Sequence, residues 1–390
     1  MTLHPDTADF DRVLPRDGTA SMKWDRYRDR DVLPFWVADM DFAAAAPIQE
    51  ALARRIAHPV FGYTLAPDGL TPAIRSHLER EFDWSIQPDW LVWLPGVVPG
   101  LSASCRAFCD DGDEVMVNPP IYHHFLDSHE QRRHTLLRVP LQRDDGGRWS
   151  WDIEAMRAAC TERTRLLMLC SPHNPTGTVF TQAELDALAA LVIEKDLIVV
   201  SDEIHCDLVI DRQARHLPTA AACPSIADRC VTLMSGSKTW NIAGLNCSFA
   251  IVPNPALRER FARACDSVMS MVTPLAYVAT EAAYRDGGPW REALIDYLAE
   301  NYALIRRTLA PIEALHLEPL QATYLAWIDA RALRLDDTQQ ALEGHGIGLS
   351  SGEQFGQPGF LRLNFACPRS ILQEGLDRLV EGVSKLQPGT

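Results

Sequence analysis

The sequence predicts an α/β protein: a mostly parallel sheet flanked by helices on both faces, with a smaller α+β domain at its C-terminal end. Three observations predict this fold. First, a short apolar run, a polar or glycine-rich loop and then a helical pattern recur five times before residue 250. Second, those runs are leucine-rich and β-branched without alternation, as suits strands buried on both sides. Third, after Ser270 the texture changes to helical patterns followed by strands.

Taken in order, "WLVWL" feeds "PGVVPGLSASCRAF", "DEVMV" feeds "NPPIYHHF", and "TRLLMLC" feeds "SPHNPTG". Further on, "KDLIVV" feeds "SDEIH" and "CVTLM" feeds "SGSKTWN". The C-terminal part carries the helical "WREALIDYLAENYALIRRTL" before the strand-like "TYLAWIDA" and "GFLRLNFA". The expected organisation is an N-terminal segment, residues 1–45, packing on a small domain of residues 281–390, with a large domain of residues 46–280 between them.

Charge and composition narrow the function. Thirty-seven Lys plus Arg stand against 52 Asp plus Glu, a formal net charge of −15, so the long-range basic field that attracts nucleic acid is missing. The start, "MTLHPDTADFDRVLPRD", lacks the basic and apolar halves of a secretory signal. No apolar run reaches the roughly 20 residues that span a bilayer; "LDALAALVIEKDLIVV" is broken by Glu194, Lys195 and Asp196. The ten cysteines form no CxxC pair and no metal-ligand spacing with histidine. Cys105 and Cys109, four apart on a helical pattern, suit small apolar packing. The expectation is a cytoplasmic enzyme acting on a small molecule, with no metal, membrane or nucleic-acid partner.

In open α/β sheets the ligand sits beyond the carboxyl ends of the strands. Tyr122, Asn174, Asp202, His205 and Lys238 all fall there. Lys238 is not a Walker A lysine, because Ser237 and Thr232 occupy the positions of its two glycines. An exposed loop lysine remains possible, but Lys238 follows a buried-strand pattern beside two serines able to hold an anion. A desolvated lysine has a lowered pKa, which frees the neutral amine to form a Schiff base with an aldehyde cofactor.

Such a cofactor, pyridoxal phosphate, needs an acid at its ring nitrogen, a donor to its ring hydroxyl, a cover for the ring and a phosphate pocket. Asp202, Asn174, Tyr122 and the amides of "PGVVPG" supply these in turn. Taken singly, Asp202 also suits a helix cap, Asn174 a turn, Tyr122 a half-buried core position and "PGVVPG" a plain turn. Their joint occurrence at successive strand ends favours the cofactor.

"SPHNPTG", "SDEIHCDLV" and "SGSKTWNIAGL", in this order, resemble the fold-type I pyridoxal-phosphate enzymes of the class I/II aminotransferase superfamily. "KWD" at Lys23, "FWVADMDF" at Phe35, "FGYT" at Phe61 and "FLRLNFACPR" at Phe360 resemble its cystathionine β-lyase branch, the MalY/PatB type, and the likeness covers nearly the whole chain. The resemblance implies that Lys238 forms the covalent link to the cofactor and then shuttles protons. Asp202 would pair with the ring nitrogen and Asn174 with the ring hydroxyl, near His205. Tyr122 would stack on one ring face and Ile204 on the other. Ser235, Ser237 and the amides of Val97 and Val98 would hold the phosphate.

By the same resemblance Arg362 would grip the substrate carboxylate in a bidentate fork, completed by Asn174 and the backbone of Ala38 and Asp39. Tyr63 would reach the phosphate site of a neighbouring subunit, which implies a homodimer with a shared active site. Asn246 departs from the superfamily, standing where a phosphate-binding arginine is usual. The implied reaction is α,β-elimination of L-cystathionine or related cysteine S-conjugates to a thiol, pyruvate and ammonia. Transamination of an L-amino acid begins with the same proton removal and stays open, as does a regulatory role through protein contact. His123, His124 and Trp240 are candidates for the substrate side-chain pocket, Trp240 equally for core packing and the histidines for solvent.

Overall fold

A computed structural model describes residues 9–127, 134–266 and 269–386. Its main sheet has seven strands: β1 (Leu91–Leu94), β2 (Glu114–Val117), β3 (Thr135–Arg138), β4 (Thr164–Cys170), β5 (Ile198–Asp202), β6 (Cys230–Met234) and β7 (Ser248–Ile251). Their spatial order is β1-β7-β6-β5-β4-β2-β3. Neighbours run parallel except at β7, which is antiparallel to both β1 and β6. The five strands expected from the sequence are β1, β2, β4, β5 and β6. β3, at the edge of the sheet and only partly buried, and β7, antiparallel to its neighbours, are not among them.

The strands read as continuous apolar runs because both faces are covered. Leu167 and Leu169 of β4 join one buried cluster, with helices α1 (Ala46–Ile56), α2 (Leu70–Phe82), α4 (Gln182–Glu194) and α6 (Pro274–Asp286). Leu166, Met168 and Cys170 join the opposite cluster, with α3 (Val97–Phe108) and α5 (Pro255–Asp266). Successive side chains thus point to opposite faces, as the period of a strand requires. The start of α4 is fixed by a capping box, in which Thr181 and Glu184 each bond the other's backbone amide.

A second sheet is antiparallel and ordered β8-β9-β11-β10, from β8 (His316–Leu317), β9 (Leu325–Asp329), β10 (Ser350–Ser351) and β11 (Phe360–Asn364). Helices α7 (Gly288–Leu309) and α8 (Arg369–Leu386) share its core, with Leu298, Ile305, Leu372 and Leu376 against Leu325, Ile328 and Leu363. The N-terminal segment lies on this unit: Leu33–Pro34 pairs with Ile347–Gly348, and Phe35 O accepts from Asn364 N at 2.9 Å. The Phe35 ring also occupies the space beside Gly375, where a Cβ would come within 2.4 Å of it. Among the described residues no helix is long and apolar enough to cross a membrane, and no disulfide joins the ten cysteines.

Candidate active site

The loop after β6 is held in place from two directions. A Cβ on Gly236 would fall 2.7 Å from the Trp240 ring, so only glycine lets the chain turn there. Trp240 itself is fully buried and donates Nε1–H to Gly287 O at 2.9 Å. It therefore belongs to the core, not to a substrate pocket. Asn241, at φ 55°, donates to Met40 O and Phe42 O and accepts from Met40 N. The "KTWN" and "ADMDF" runs are thus two sides of one contact, which leaves Lys238 Nζ donating to Ala38 O at 2.7 Å.

Lys238 lies on a cavity of about 350 Å³, within the range of small-molecule sites. Tyr122, Asn174, Asp202, Ile204, His205, Ser237, Val97, Val98, Ala38 and Arg362 share its walls. Residues from five strand ends and from β11 of the second sheet are thereby brought together. Burial, aided by the Arg362 guanidinium, pushes the lysine down to about 8, so a neutral amine is accessible near physiological pH.

Asp202 ends β5 opposite Cys170 of β4 and is buried, its carboxylate accepting, among the described residues, only from Ile204 N at 3.0 Å. Burial raises it to about 7. His205 beside it is also buried; burial, with Lys238 and Arg362, lowers it to about 3 and keeps it neutral, and its Nδ1 has no partner. At the far wall α3 begins after Gly96 with no side-chain cap, leaving its first amides, those of Val97 and Val98 among them, without intrahelical acceptors. Asn246, which closes a short 3-10 turn at φ 60°, lines the same cavity.

Arg362 reaches the cavity from β11 at 4% exposure, with its guanidinium over the Phe355 ring at 4.6 Å. It donates to Asn174 Oδ1 and Trp36 O, each at 2.9 Å, and its Nε has no partner. Burial lowers it only to about 10, so it stays a cation. Tyr122 rises with burial and therefore remains a neutral phenol.

Three expectations need correction or completion. Ser235 does not line the cavity: its hydroxyl donates to Cys247 O at 2.7 Å and accepts from Ser237 N at 3.1 Å, so it shapes the turn and has no proton left for a phosphate. The backbone of Asp39 is likewise engaged, its N–H donating to Val37 O and its carbonyl accepting from Lys23 Nζ and Asn364 Nδ2, while its side chain pairs with Arg16. Tyr63 is 99% exposed and does not line this cavity. Of the two histidines, His123 lines the cavity and His124 stands behind it.

Sequence reasoning passed over Trp36, Ser350 and Tyr324. Trp36 O and Ser350 Oγ orient Arg362, and the Tyr324 hydroxyl donates to Ala38 O at 3.3 Å. Trp36 sits inside the "FWVADMDF" run and was within reach of that signal. Ser350, in "LSSGEQF", carries none, because its contact exists only across the second sheet.

Residues 40–379 match the family described as aminotransferase class I and II. Cystathionine β-lyase PatB of Bacillus subtilis (strain 168) is 36% identical over 96% of this chain and 100% of that protein. The crystal structure of OvoB is 41% identical with a TM-score of 0.94, over 96% of this chain and 99% of that one. Cystalysin from Treponema denticola, whose crystal structure contains pyridoxal 5'-phosphate, is 31% identical with a TM-score of 0.93, over 97% and 100%. The matched region takes in both sheets and Lys238, Asp202, Asn174 and Arg362 alike, and this chain belongs to the class I and II aminotransferase family.

Proposed function

We propose that this chain is a pyridoxal-phosphate-dependent carbon–sulfur β-lyase that cleaves L-cystathionine or related cysteine S-conjugates to a thiol, pyruvate and ammonia. One observation carries the cofactor: a buried acid, Asp202, in no ion pair among the described residues shares a cavity with Lys238, a buried lysine lowered to about 8. A cationic ring nitrogen would supply the missing partner, and His205 Nδ1 and the open amides of α3 are further unfilled positions. The lyase chemistry is supported by PatB, a relative over nearly the whole chain whose name states that activity.

Asp202 would hold the ring nitrogen, Asn174 the ring hydroxyl through its free amide group, and Tyr122 and Ile204 the two ring faces. Ser237 and the amides of Val97 and Val98 would take the phosphate at a helix N-terminus. When bound, pyridoxal phosphate supplies an aldehyde for amines and a ring that accepts the electron pair left at Cα. Lys238 would hold it covalently through Nζ. Arg362, fixed by Asn174, Trp36 and Ser350, would orient the substrate carboxylate so that Cα faces Lys238 Nζ. The freed Nζ then removes the Cα proton, and the C–S electron pair departs on sulfur.

Tyr63, Leu65, Phe61 and Val60 form an exposed apolar arm at 99, 85, 56 and 61% exposure, which supports a homodimer in which Tyr63 completes the partner's phosphate site. Ten cysteines without a disulfide fit a cytoplasmic setting. The large domain, residues 46–280, carries the cofactor, and the small domain, residues 281–390 with segment 1–45, brings Arg362. Incubation of the holoenzyme with cystathionine tests the reaction: pyruvate and free thiol should appear in equal amounts. Conversion without pyruvate, dependent on an added 2-oxo acid, would sink it in favour of transamination.

A further inference from the structure

With a substrate carboxylate at Arg362 and Cα beside Lys238, Trp36, Val37, His123 and Gln354 are among the lining residues left to meet the sulfur substituent. Among these His123 has a defined hydrogen-bonding state. Its Nδ1 is sealed from solvent and has no hydrogen-bond partner among the described residues, so Nε2 is the nitrogen through which the ring meets the cavity. A buried N–H without an acceptor is rarer and costlier than a buried bare lone pair, which puts the proton on Nε2. The ring is wedged between Tyr122 and His124, with centroids at 4.5 and 4.2 Å. Burial and His124 push it down to about 4, so it is uncharged when the enzyme works.

The same ring belongs to a His123, His124, Asp127 group whose candidate ligand atoms lie within 4.8 Å of one another. The Arg362 cation acts on the same imidazole, which disfavours a second cation beside it. A hydrogen bond to substrate fits these facts better than a metal.

We propose that the His123 Nε2–H group is a specificity donor, selecting cysteine S-conjugates whose sulfur substituent carries a hydrogen-bond acceptor over purely hydrocarbon ones. The proposal rests on the C–S lyase reading and adds the substrate class. A site built to donate to a substrate acceptor discriminates against the analogue lacking it, because the donor is then left desolvated and unpaired.

S-(2-methoxyethyl)-L-cysteine and S-butyl-L-cysteine have the same length and differ by one ether oxygen, so the ratio of their kcat/KM values isolates the donor. H123F, which keeps the ring shape, should lower that ratio about tenfold relative to the unaltered holoenzyme, and H123Q, which keeps an N–H donor, should restore most of it. Visible absorbance of the bound cofactor reports that each variant is folded and loaded. An unchanged ratio in H123F overturns the proposal, as does a ratio that shifts on treatment of the unaltered enzyme with EDTA, which would mark the cluster as a metal site. Release of thiol from neither conjugate, nor from cystathionine, would instead remove the lyase reading on which the proposal stands.

Discussion

Asp202 and Asp207 lie five residues apart in "SDEIHCD", and each is 5% exposed, yet they titrate in opposite directions. Burial raises Asp202 to about 7. Burial opposes ionisation at Asp207 too, but His77 and Arg291 outweigh it and hold that carboxyl at about 2. His77 Nε2 and Arg291 Nη1 each stand 2.8 Å from Asp207 Oδ1, and Arg291 also bonds Glu81 at 2.6 Å. Burial is common to both, so the partner decides. An acid whose charge is already matched inside the fold serves structure. One left unmatched at the edge of a cavity is a socket for a ligand's cation.

The largest effect should come from Lys238→Ala, which removes the amine from the Asp202 side of the contrast. Turnover should fall by at least about 10³-fold and the visible absorbance of the holoenzyme should vanish, with melting temperature little changed. The pair Asp202→Asn and Asp207→Asn tests the contrast itself. Asp202→Asn should lower kcat/KM by about 10²-fold or more with the fold intact. Asp207→Asn should destabilise by about 3–5 kcal/mol, because Arg291 loses its buried counter-charge, while kcat per folded enzyme stays within a few-fold. Urea titration and kcat on the same preparations distinguish them, and matching profiles would erase the distinction.

A subtler version uses pH on the apoprotein. The raised Asp202 contributes stability that is complete below its unfolded pKa of about 4 and is lost as pH rises through about 7. The depressed Asp207 contributes stability present above that same unfolded value and lost as pH falls through about 2. Because the lowered imidazoles of His205 and His123 act in the opposite sense over part of this range, the quantity to measure is a difference: the urea midpoint of the unaltered apoprotein relative to Asp202→Asn should fall from about pH 4 to about 8, and its midpoint relative to Asp207→Asn should fall as pH drops below about 4. The smallest effect is expected at Ser235→Ala, which removes a donor to Cys247 O and should cost about 1 kcal/mol with cofactor affinity unchanged. Ser237→Ala should instead weaken cofactor binding, as equilibrium dialysis would show.

Much of the site was legible because catalytic side chains follow runs that could only be buried strands. "LIVVS" before Asp202 and "CVTLM" before Lys238 place both groups at sheet ends without further information. The different duties of Asp202, Glu203 and Asp207 were not legible. All three stand in one motif, but Glu203 is taken up by Ser201, Thr219 N and His216, and Asp207 by residues from α2 and α7. Ser235 and Ser237 likewise looked equivalent until the turn assigned one hydroxyl to Cys247.

The sequence by itself determined five strands of the main sheet, the lysine loop and the family, since these rest on local pattern and on residues contiguous in the chain. Tertiary structure alone decided which buried acid is paired, which serine faces the cavity, how Arg362 is oriented by Trp36 and Ser350, and which nitrogen of His123 is reachable. Each of these depends on a partner distant in sequence. Burial sets the cost of a polar group, and only the partner that folding brings to it decides whether that cost is met within the protein or by a ligand.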